Sequence, residues 1–132
     1  MTQRIARCAC GSLTATCEGE PLRRSICHCF ACQQRTGSAF SWNAVWPDEQ
    51  VRVEGESRVF ERYGEEGHWG RNHFCPTCGN TVFWQIERRP GMTYVAVGCF
   101  SEPHFPEPEI GVYSEQAPKW LRFETVAPMH RE

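Results

Sequence analysis

The stretch that decides the fold is Cys75-Pro76-Thr77-Cys78-Gly79. Two cysteines stand two residues apart at a predicted hairpin turn, and the glycine after them lets the chain turn while backbone N–H groups face the sulfur atoms. A tighter pair of the same type is Cys8-Ala9-Cys10-Gly11. Since neither pair fills a tetrahedral shell alone, the two together would form one complete metal site that contributes directly to folding. The alternative is two unrelated pairs of buried thiols.

A third cluster of cysteines is Cys27-His28-Cys29-Phe30-Ala31-Cys32. Its three thiols can face one ion if a strand turns into a short helix here, and three protein ligands leave one coordination position open for chemistry. We expect His28, between two candidate ligands, to point away from that ion. The alternative is a second structural zinc whose fourth ligand is one of His68, His73, His104 and Cys99.

Length and composition indicate one small protein domain. We expect a single zinc-binding domain over residues 1–132, with a core of about 4–124 and a flexible tail over 125–132. The remaining cysteines, Cys17 and Cys99, fit buried apolar positions better than ligand positions.

The cysteine count also bears on the cellular compartment. No apolar run approaches the roughly 20 residues of a membrane span, and the N-terminus does not resemble a signal peptide. We therefore expect a cytoplasmic protein with no membrane partner, where nine reduced cysteines favour metal over disulfides. A net charge of −2 without a large basic cluster argues against nucleic acid as a partner.

Glycine and proline interrupt the chain about every ten residues, as in small all-β proteins. The predicted strands are Gln3–Cys8, Ser12–Cys17, Ala39–Trp46, Val51–Glu54, Arg58–Tyr63, Trp69–Phe74, Thr81–Ile86, Thr93–Gly98, Glu109–Tyr113 and Trp120–Phe123. One short helix is predicted at Phe30–Arg35, and Ser101–Pro108, with three prolines, is predicted to be a loop.

The residues that follow this helix are Arg35, Thr36, Gly37 and Ser38. One interpretation is turn chemistry, with Gly37 ending the helix. The other is that Arg35 and these backbone N–H groups contact a substrate carboxylate beside the open metal position.

In order, these motifs resemble the glutathione-dependent formaldehyde-activating enzyme family, whose members share the Mss4-like fold. The match spans about residues 8–120. The residues that carry it are Cys8, Cys10, Gly11, Cys27, Cys29, Cys32, Thr36, Gly37, Ser38, Phe40, Phe74, Cys75, Cys78, Gly79, Gly98, Phe100 and Trp120.

The resemblance implies a mainly β fold of small antiparallel sheets, built from hairpins around a structural zinc, with one short helix. It implies two zinc ions per chain: a structural one held by Cys8, Cys10, Cys75 and Cys78, and a catalytic one held by Cys27, Cys29 and Cys32. It also implies a carbon–sulfur lyase whose partner is a small thiol such as glutathione, as in the formation of S-hydroxymethylglutathione from glutathione and formaldehyde.

Two points stay open at this stage. The alternative function is a non-catalytic zinc-binding module that binds a protein partner. The physiological substrate, the reaction direction and the oligomeric state are not given by the sequence, and a homodimer is one option for the last.

Overall fold

The structure is a computed structural model, and it describes residues 2–123 and 126–129. Within these residues the chain forms eleven strands and one short α-helix. The strands are β1 (Gln3–Arg7), β2 (Thr14–Glu18), β3 (Arg23–Cys27), β4 (Ser41–Pro47), β5 (Val51–Glu54), β6 (Arg58–Tyr63), β7 (Trp69–Phe74), β8 (Thr81–Ile86), β9 (Met92–Ala96), β10 (Ile110–Val112) and β11 (Ala127–Met129). The helix α1 is Phe30–Thr36.

The strands form two sheets. The smaller has the order β1-β2-β5, and the larger has the order β11-β10-β3-β4-β9-β8-β7-β6. The pairs are antiparallel except those of β10, which runs parallel to both β3 and β11. The sheets are thus mainly antiparallel, as the family resemblance implied, and only the pairs of β10 are parallel. A long connection over residues 97–109 brings β10 back beside β3, as parallel pairing requires.

The main core lies between the two sheets. Successive side chains of a strand point to opposite faces, so Ala44 and Trp46 of β4 face the small sheet and pack with Leu13 and Cys17. Trp46 is fully buried, and its Nε1 donates a hydrogen bond to the carbonyl of Gly19 at 3.0 Å. Truncating a residue of this size in a core costs about 3–5 kcal/mol.

The opposite face of the large sheet carries a second set of side chains. Cys27 ends β3, Asn43 lies on β4 beside it, and the register places Tyr94 of β9 opposite Trp84 of β8. Further out, Gly70 of β7 lies opposite Ile86 of β8 and Arg62 of β6. The small sheet does not cover this face, which therefore remains open for a site.

The structure confirms the predicted mainly β fold with one short helix. One predicted strand does not form, and two strands, β3 and β11, were not predicted. Arg23–Cys27 is a strand that was not predicted. It begins with two arginines, which hid the apolar strand pattern, although its last three residues are buried. Trp120–Phe123 is not a strand, since a turn at Pro118 in which the Leu121 N–H bonds the Pro118 carbonyl occupies this region.

The other boundaries differ by a few residues. The predicted strand Thr93–Gly98 ends at Ala96, where a 3₁₀ turn over Val97–Phe100 begins. The predicted tail over 125–132 lies partly outside the described residues, and the structure places Ala127–Met129 in an edge strand. No helix in the described part of the chain has the length and apolarity that a membrane crossing needs.

Gly55 offers a test of how β5 is joined to the first cysteine pair. Its φ is +98°, and a Cβ added there would lie 1.9 Å from the Ser12 carbonyl oxygen. Gly67 has a similar φ of +83° with no atom near its added Cβ. We expect Gly67→Ala to cost about 1 kcal/mol from backbone strain alone, and Gly55→Ala about 3 kcal/mol or more because backbone must shift. Denaturant unfolding of both zinc-saturated variants would measure this difference, and equal losses would contradict it.

Candidate functional site

Four thiols from two distant turns meet in one cluster. Cys8 and Cys10 lie in the β1–β2 turn, and Cys75 and Cys78 lie in the β7–β8 turn. The Cys10 sulfur is 3.7 Å from that of Cys8 and 3.6 Å from that of Cys75, and all four lie within 4.8 Å of one another. Tetrahedral zinc with Zn–S bonds of about 2.3 Å sets its sulfurs about 3.8 Å apart. The soft donor set and its spacing therefore fit zinc.

Hydrogen bonds to the sulfur atoms of this cluster favour the thiolate form that binds a cation. The Ser12 hydroxyl, 3.2 Å from the Cys75 sulfur, and the N–H groups of Cys78 and Thr77 lower the pKa of the Cys75 thiol to about 6. The Leu13 N–H donates to the Cys8 sulfur at 3.3 Å. Because these donors favour thiolates over thiols, the cluster is suited to bind a metal ion near neutral pH.

Three further thiols meet where β3 turns into α1. Cys27 ends β3, Cys29 is the N-cap residue of α1 and accepts a hydrogen bond from the Cys32 N–H at 3.3 Å, and Cys32 lies in the first turn. Their sulfurs lie within 4.8 Å of one another. No other histidine, cysteine, aspartate or glutamate in residues 2–123 and 126–129 completes this group. It can therefore hold a metal ion and leave a coordination position open.

The three thiols do not ionise equally. The Cys27 and Cys29 thiols donate to the Cys32 sulfur, and together with the Ser41 hydroxyl and Arg35 they hold the pKa of Cys32 well below its usual value despite burial. The hydrogen bonds of the Cys27 thiol with Cys29 and Cys32 raise the pKa of Cys27. The contacts around Cys32 therefore favour its thiolate form.

The residues considered as a fourth ligand lie elsewhere. The ring of His73 stacks on Phe83, and its Nε2 is 2.6 Å from the Gln85 side-chain oxygen. Cys99 lies 3.9 Å from the Asn80 side-chain oxygen, and burial raises its pKa to about 11. Neither they nor His68 and His104 join the three-thiol group.

Cys17, which belongs to no cluster, and His28, which lies between two of the three thiols in sequence, both pack against protein groups and are not metal-ligand candidates. Cys17 is fully buried, and burial raises its pKa to about 12, so it is a core residue. The Nδ1 of His28 is 3.1 Å from the Ala39 carbonyl, and its ring packs edge-on against Phe40. As predicted, His28 belongs to neither metal group.

A cavity of about 130 Å³ adjoins the three-thiol group on the open face of the large sheet. Cys27, Cys29 and Cys32 line one side of it. The other walls are mainly aromatic and apolar, with polar groups toward the mouth in the β6–β7 turn. These walls include Phe30, Asn43, Arg62, Glu65, Glu66, His68, Trp69, Gly70, Trp84, Ile86, Arg88, Tyr94 and Tyr113.

Two hydrogen-bonded bridges hold the β6–β7 turn over this cavity. The Gln116 amide bonds the Glu65 carboxylate at 3.0 Å and accepts from the Phe30 N–H at 2.8 Å. Arg88 pairs with Glu66 at 2.9 Å. The exposed turn residues Glu65 and Glu66 line the cavity, so its mouth lies at the β6–β7 turn, with Arg88 after β8 and Phe30 at the start of α1 beside it.

The predicted substrate contacts Arg35, Thr36, Gly37 and Ser38 do not line this cavity. Arg35 stacks on the Trp84 ring at 4.3 Å, and with Thr36 it lines a separate cleft that also borders Cys8 and Cys10. Gly37, with φ +70°, ends α1, and the Ser38 N–H bonds the Thr36 hydroxyl. Turn chemistry accounts for the contacts of Thr36, Gly37 and Ser38, and the substrate role of all four residues stays a prediction.

Three cavity residues were missed from the sequence. Asn43 is 3% exposed, and its Oδ1 has no hydrogen-bond partner among the described residues. Arg62 makes no ion pair within that same part of the chain, and its Nε is buried without a partner. Tyr113 has a φ of +53°, which is uncommon outside glycine and often marks functional sites. An asparagine within a buried apolar strand was the one available sequence signal.

Comparison with known proteins agrees with this geometry. The model of the family described as glutathione-dependent formaldehyde-activating enzyme matches residues 3–116. A crystal structure of a Rhodobacter sphaeroides protein from a structural genomics programme has a TM-score of 0.59 and 20% identity, covering 95% of this chain and 98% of that one. No curated protein matches. The structural similarity supports the fold, and the family model covers most of the chain together with all seven clustered cysteines. The chain belongs to the glutathione-dependent formaldehyde-activating enzyme family, and its mainly β architecture is the Mss4-like fold of that family.

Proposed function

We propose that this chain is a zinc-dependent carbon–sulfur lyase that acts on the adduct of an aldehyde with glutathione or a related thiol. The observation that carries the proposal is a group of three thiols with no fourth protein ligand in the described residues, at the side of a cavity. A purely structural metal site gives no reason for an open position or for a cavity beside it.

The two thiol groups take different roles in this proposal. Cys8, Cys10, Cys75 and Cys78 would hold a structural zinc, since four ligands close the coordination shell. Cys27, Cys29 and Cys32 would hold the second zinc. Zinc held by three thiolates supplies a modest Lewis acid with affinity for a further thiolate.

The reaction makes or breaks one carbon–sulfur bond. In the forward direction the substrate thiol loses its proton and adds to the aldehyde carbon, while the carbonyl oxygen becomes a hydroxyl. The cavity residues hold the reactants beside the three thiols and exclude bulk water. In the reverse direction the hydroxyl proton leaves, the carbon–sulfur bond breaks, and thiol and aldehyde separate.

Tyr113 is suited to stabilise the oxygen of the adduct. Its side chain lines the cavity, and burial raises its pKa, so that the hydroxyl stays protonated. A protonated phenol can donate to an oxygen on which negative charge develops. The left-handed backbone at this residue is the local conformation from which its side chain reaches the cavity wall.

Arg62 and the Asn43 amide are additional candidates for orienting the substrate. The Arg62 guanidinium lies beside Gly70 within the cavity wall, where a substrate carboxylate could pair with it. The amide of Asn43 lies deeper, with an oxygen that lacks a partner within residues 2–123 and 126–129.

Metal content and stability should separate the two sites. We expect two zinc ions per chain, about one for Cys29→Ser and two for the control Cys99→Ser, whose thiol belongs to neither group.

The stability of the variants should also differ. Cys29→Ser should keep its melting temperature within a few degrees and lose thiol-adduct turnover, whereas the melting temperature of Cys78→Ser should fall by about 10 °C or more. Atomic absorption, calorimetry and a glutathione–aldehyde assay measure these outcomes.

Other outcomes would show whether the second metal site or its catalytic role is wrong. One zinc in the unmodified protein, with Cys27, Cys29 and Cys32 all alkylated in the native state, would refute the second site. Unfolding of Cys29→Ser would favour a second structural site and a non-catalytic binding module.

The role of Tyr113 is tested by removing its hydroxyl alone. We expect Tyr113→Phe to lower kcat about 100-fold, as loss of a proton donor in the transition state does, while zinc content and melting temperature stay unchanged. The matched control is Tyr63→Phe, because Tyr63 is exposed on β6 and its hydroxyl bonds Glu61. Equal activities of the two variants would contradict the assignment.

A further inference from the structure

The cavity beside the three thiols has a chemical character that the reaction itself does not require. A one-carbon aldehyde would need space little larger than a water molecule. The cavity measures about 130 Å³, and the aromatic residues Trp84, Tyr94 and Tyr113 line it together with Ile86. An engineered apolar cavity of about 150 Å³ in another protein binds benzene. The volume and the lining therefore match an apolar group of about that size.

The aromatic walls are held in fixed positions. Trp84 stacks with Tyr94 at a centroid distance of 6.1 Å and an interplanar angle of 15°, and the Arg35 guanidinium lies over its ring at 4.3 Å. Because the Trp84 indole is held by a stacked cation and a stacked ring, this wall of the cavity is formed in advance, as the walls of small-molecule sites commonly are.

The size of the cavity also decides which half of the adduct enters it. Glutathione is a tripeptide with two carboxylates and an ammonium group, too large and too polar for an aromatic cavity of this volume. Its thiol would therefore reach the three cysteines from the mouth, where the charged groups Arg62, Glu66 and Arg88 lie. The group inside would be the substituent on the aldehyde carbon.

We propose that this enzyme acts on adducts of apolar aldehydes whose side group is about the size of a benzene ring, in preference to the formaldehyde adduct. The type of reaction rests on the proposed function, whereas the selectivity for an apolar aldehyde rests on the size and lining of the cavity. The atoms balance as in the one-carbon case, since the thiol proton passes to the carbonyl oxygen as the carbon–sulfur bond forms. No oxidant or reductant is needed.

Gly70 offers a way to fill the cavity in steps. Its φ is not in the left-handed region, and an added Cβ would lie 3.9 Å from side-chain atoms of both Arg62 and Ile86, which is ordinary contact. Gly70→Ala and then Gly70→Val would therefore put one and then three carbon atoms into the cavity wall. Gly98→Ala is the matched control, since Gly98 lines the separate cleft and its added Cβ meets nothing within 4 Å.

The first measurement is binding of toluene to the zinc-loaded protein, followed by tryptophan fluorescence, which requires no turnover. We expect saturable binding that weakens stepwise, about threefold for Gly70→Ala and at least tenfold for Gly70→Val, and that stays as in the unmodified protein for Gly98→Ala. Absence of saturable binding, or equal weakening by Gly98→Ala, would overturn the proposal.

The second measurement compares glutathione with benzaldehyde, glutathione with formaldehyde, and benzyl mercaptan with formaldehyde, by exchange NMR. We expect a higher kcat/KM for benzaldehyde than for formaldehyde with glutathione, and a fall of at least tenfold in that ratio for Gly70→Val. Faster reaction of benzyl mercaptan with formaldehyde would place the apolar group on the thiol and overturn the assignment. Toluene binding that responds to Gly70 without turnover of any pair would support the apolar pocket and refute the lyase function.

Discussion

The meeting of four thiols from two turns is the constraint on which the structure depends. Cys8 and Cys10 lie in the turn of the small sheet, and Cys75 and Cys78 lie in a turn of the large sheet more than 60 residues later. A cation bound there would fix the two sheets to each other at one end, while Trp46 and the residues around it fill the space between them. Closing a loop of this length is costly in chain entropy, which metal binding would offset.

With the sheets joined in this way, one face of the large sheet packs in the core and the other face stays uncovered. On β4 the even-numbered residues Ala44 and Trp46 enter the core, and the odd-numbered Asn43 and Val45 lie on the other face. That second face is left open by the small sheet, so the three-thiol group and the aromatic cavity can lie on it. The position of the site thus follows from strand periodicity and from one-sided coverage of the sheet.

The sequence allowed the metal groups to be predicted but gave little information on the cavity. Cysteines one or two residues apart form a local pattern, so spacing permitted a group of four and a group of three, and the family resemblance implied that pairing. Asn43, Gly70 and Arg62 lie on three different strands, and only the register of those strands brings them together. The strand Arg23–Cys27 was missed for the same reason, because its pairing with β4 and β10 depends on segments distant in sequence.

The distribution of the cavity residues over the sheet bears on how selectivity could differ within such a fold. Cys27 and Asn43 lie on central strands, where a change on the cavity face risks disturbing the core on the other face. Gly70 and Arg62 lie on the two outermost strands at one edge, and Tyr113 follows the short strand β10. β6 is almost wholly exposed, so changes along it disturb little packing. In the proposed function the chemistry would come from the three thiols at the end of β3 and in α1 and from the Tyr113 hydroxyl, and the size of the accepted side group could vary at the β6–β7 edge at small cost in stability.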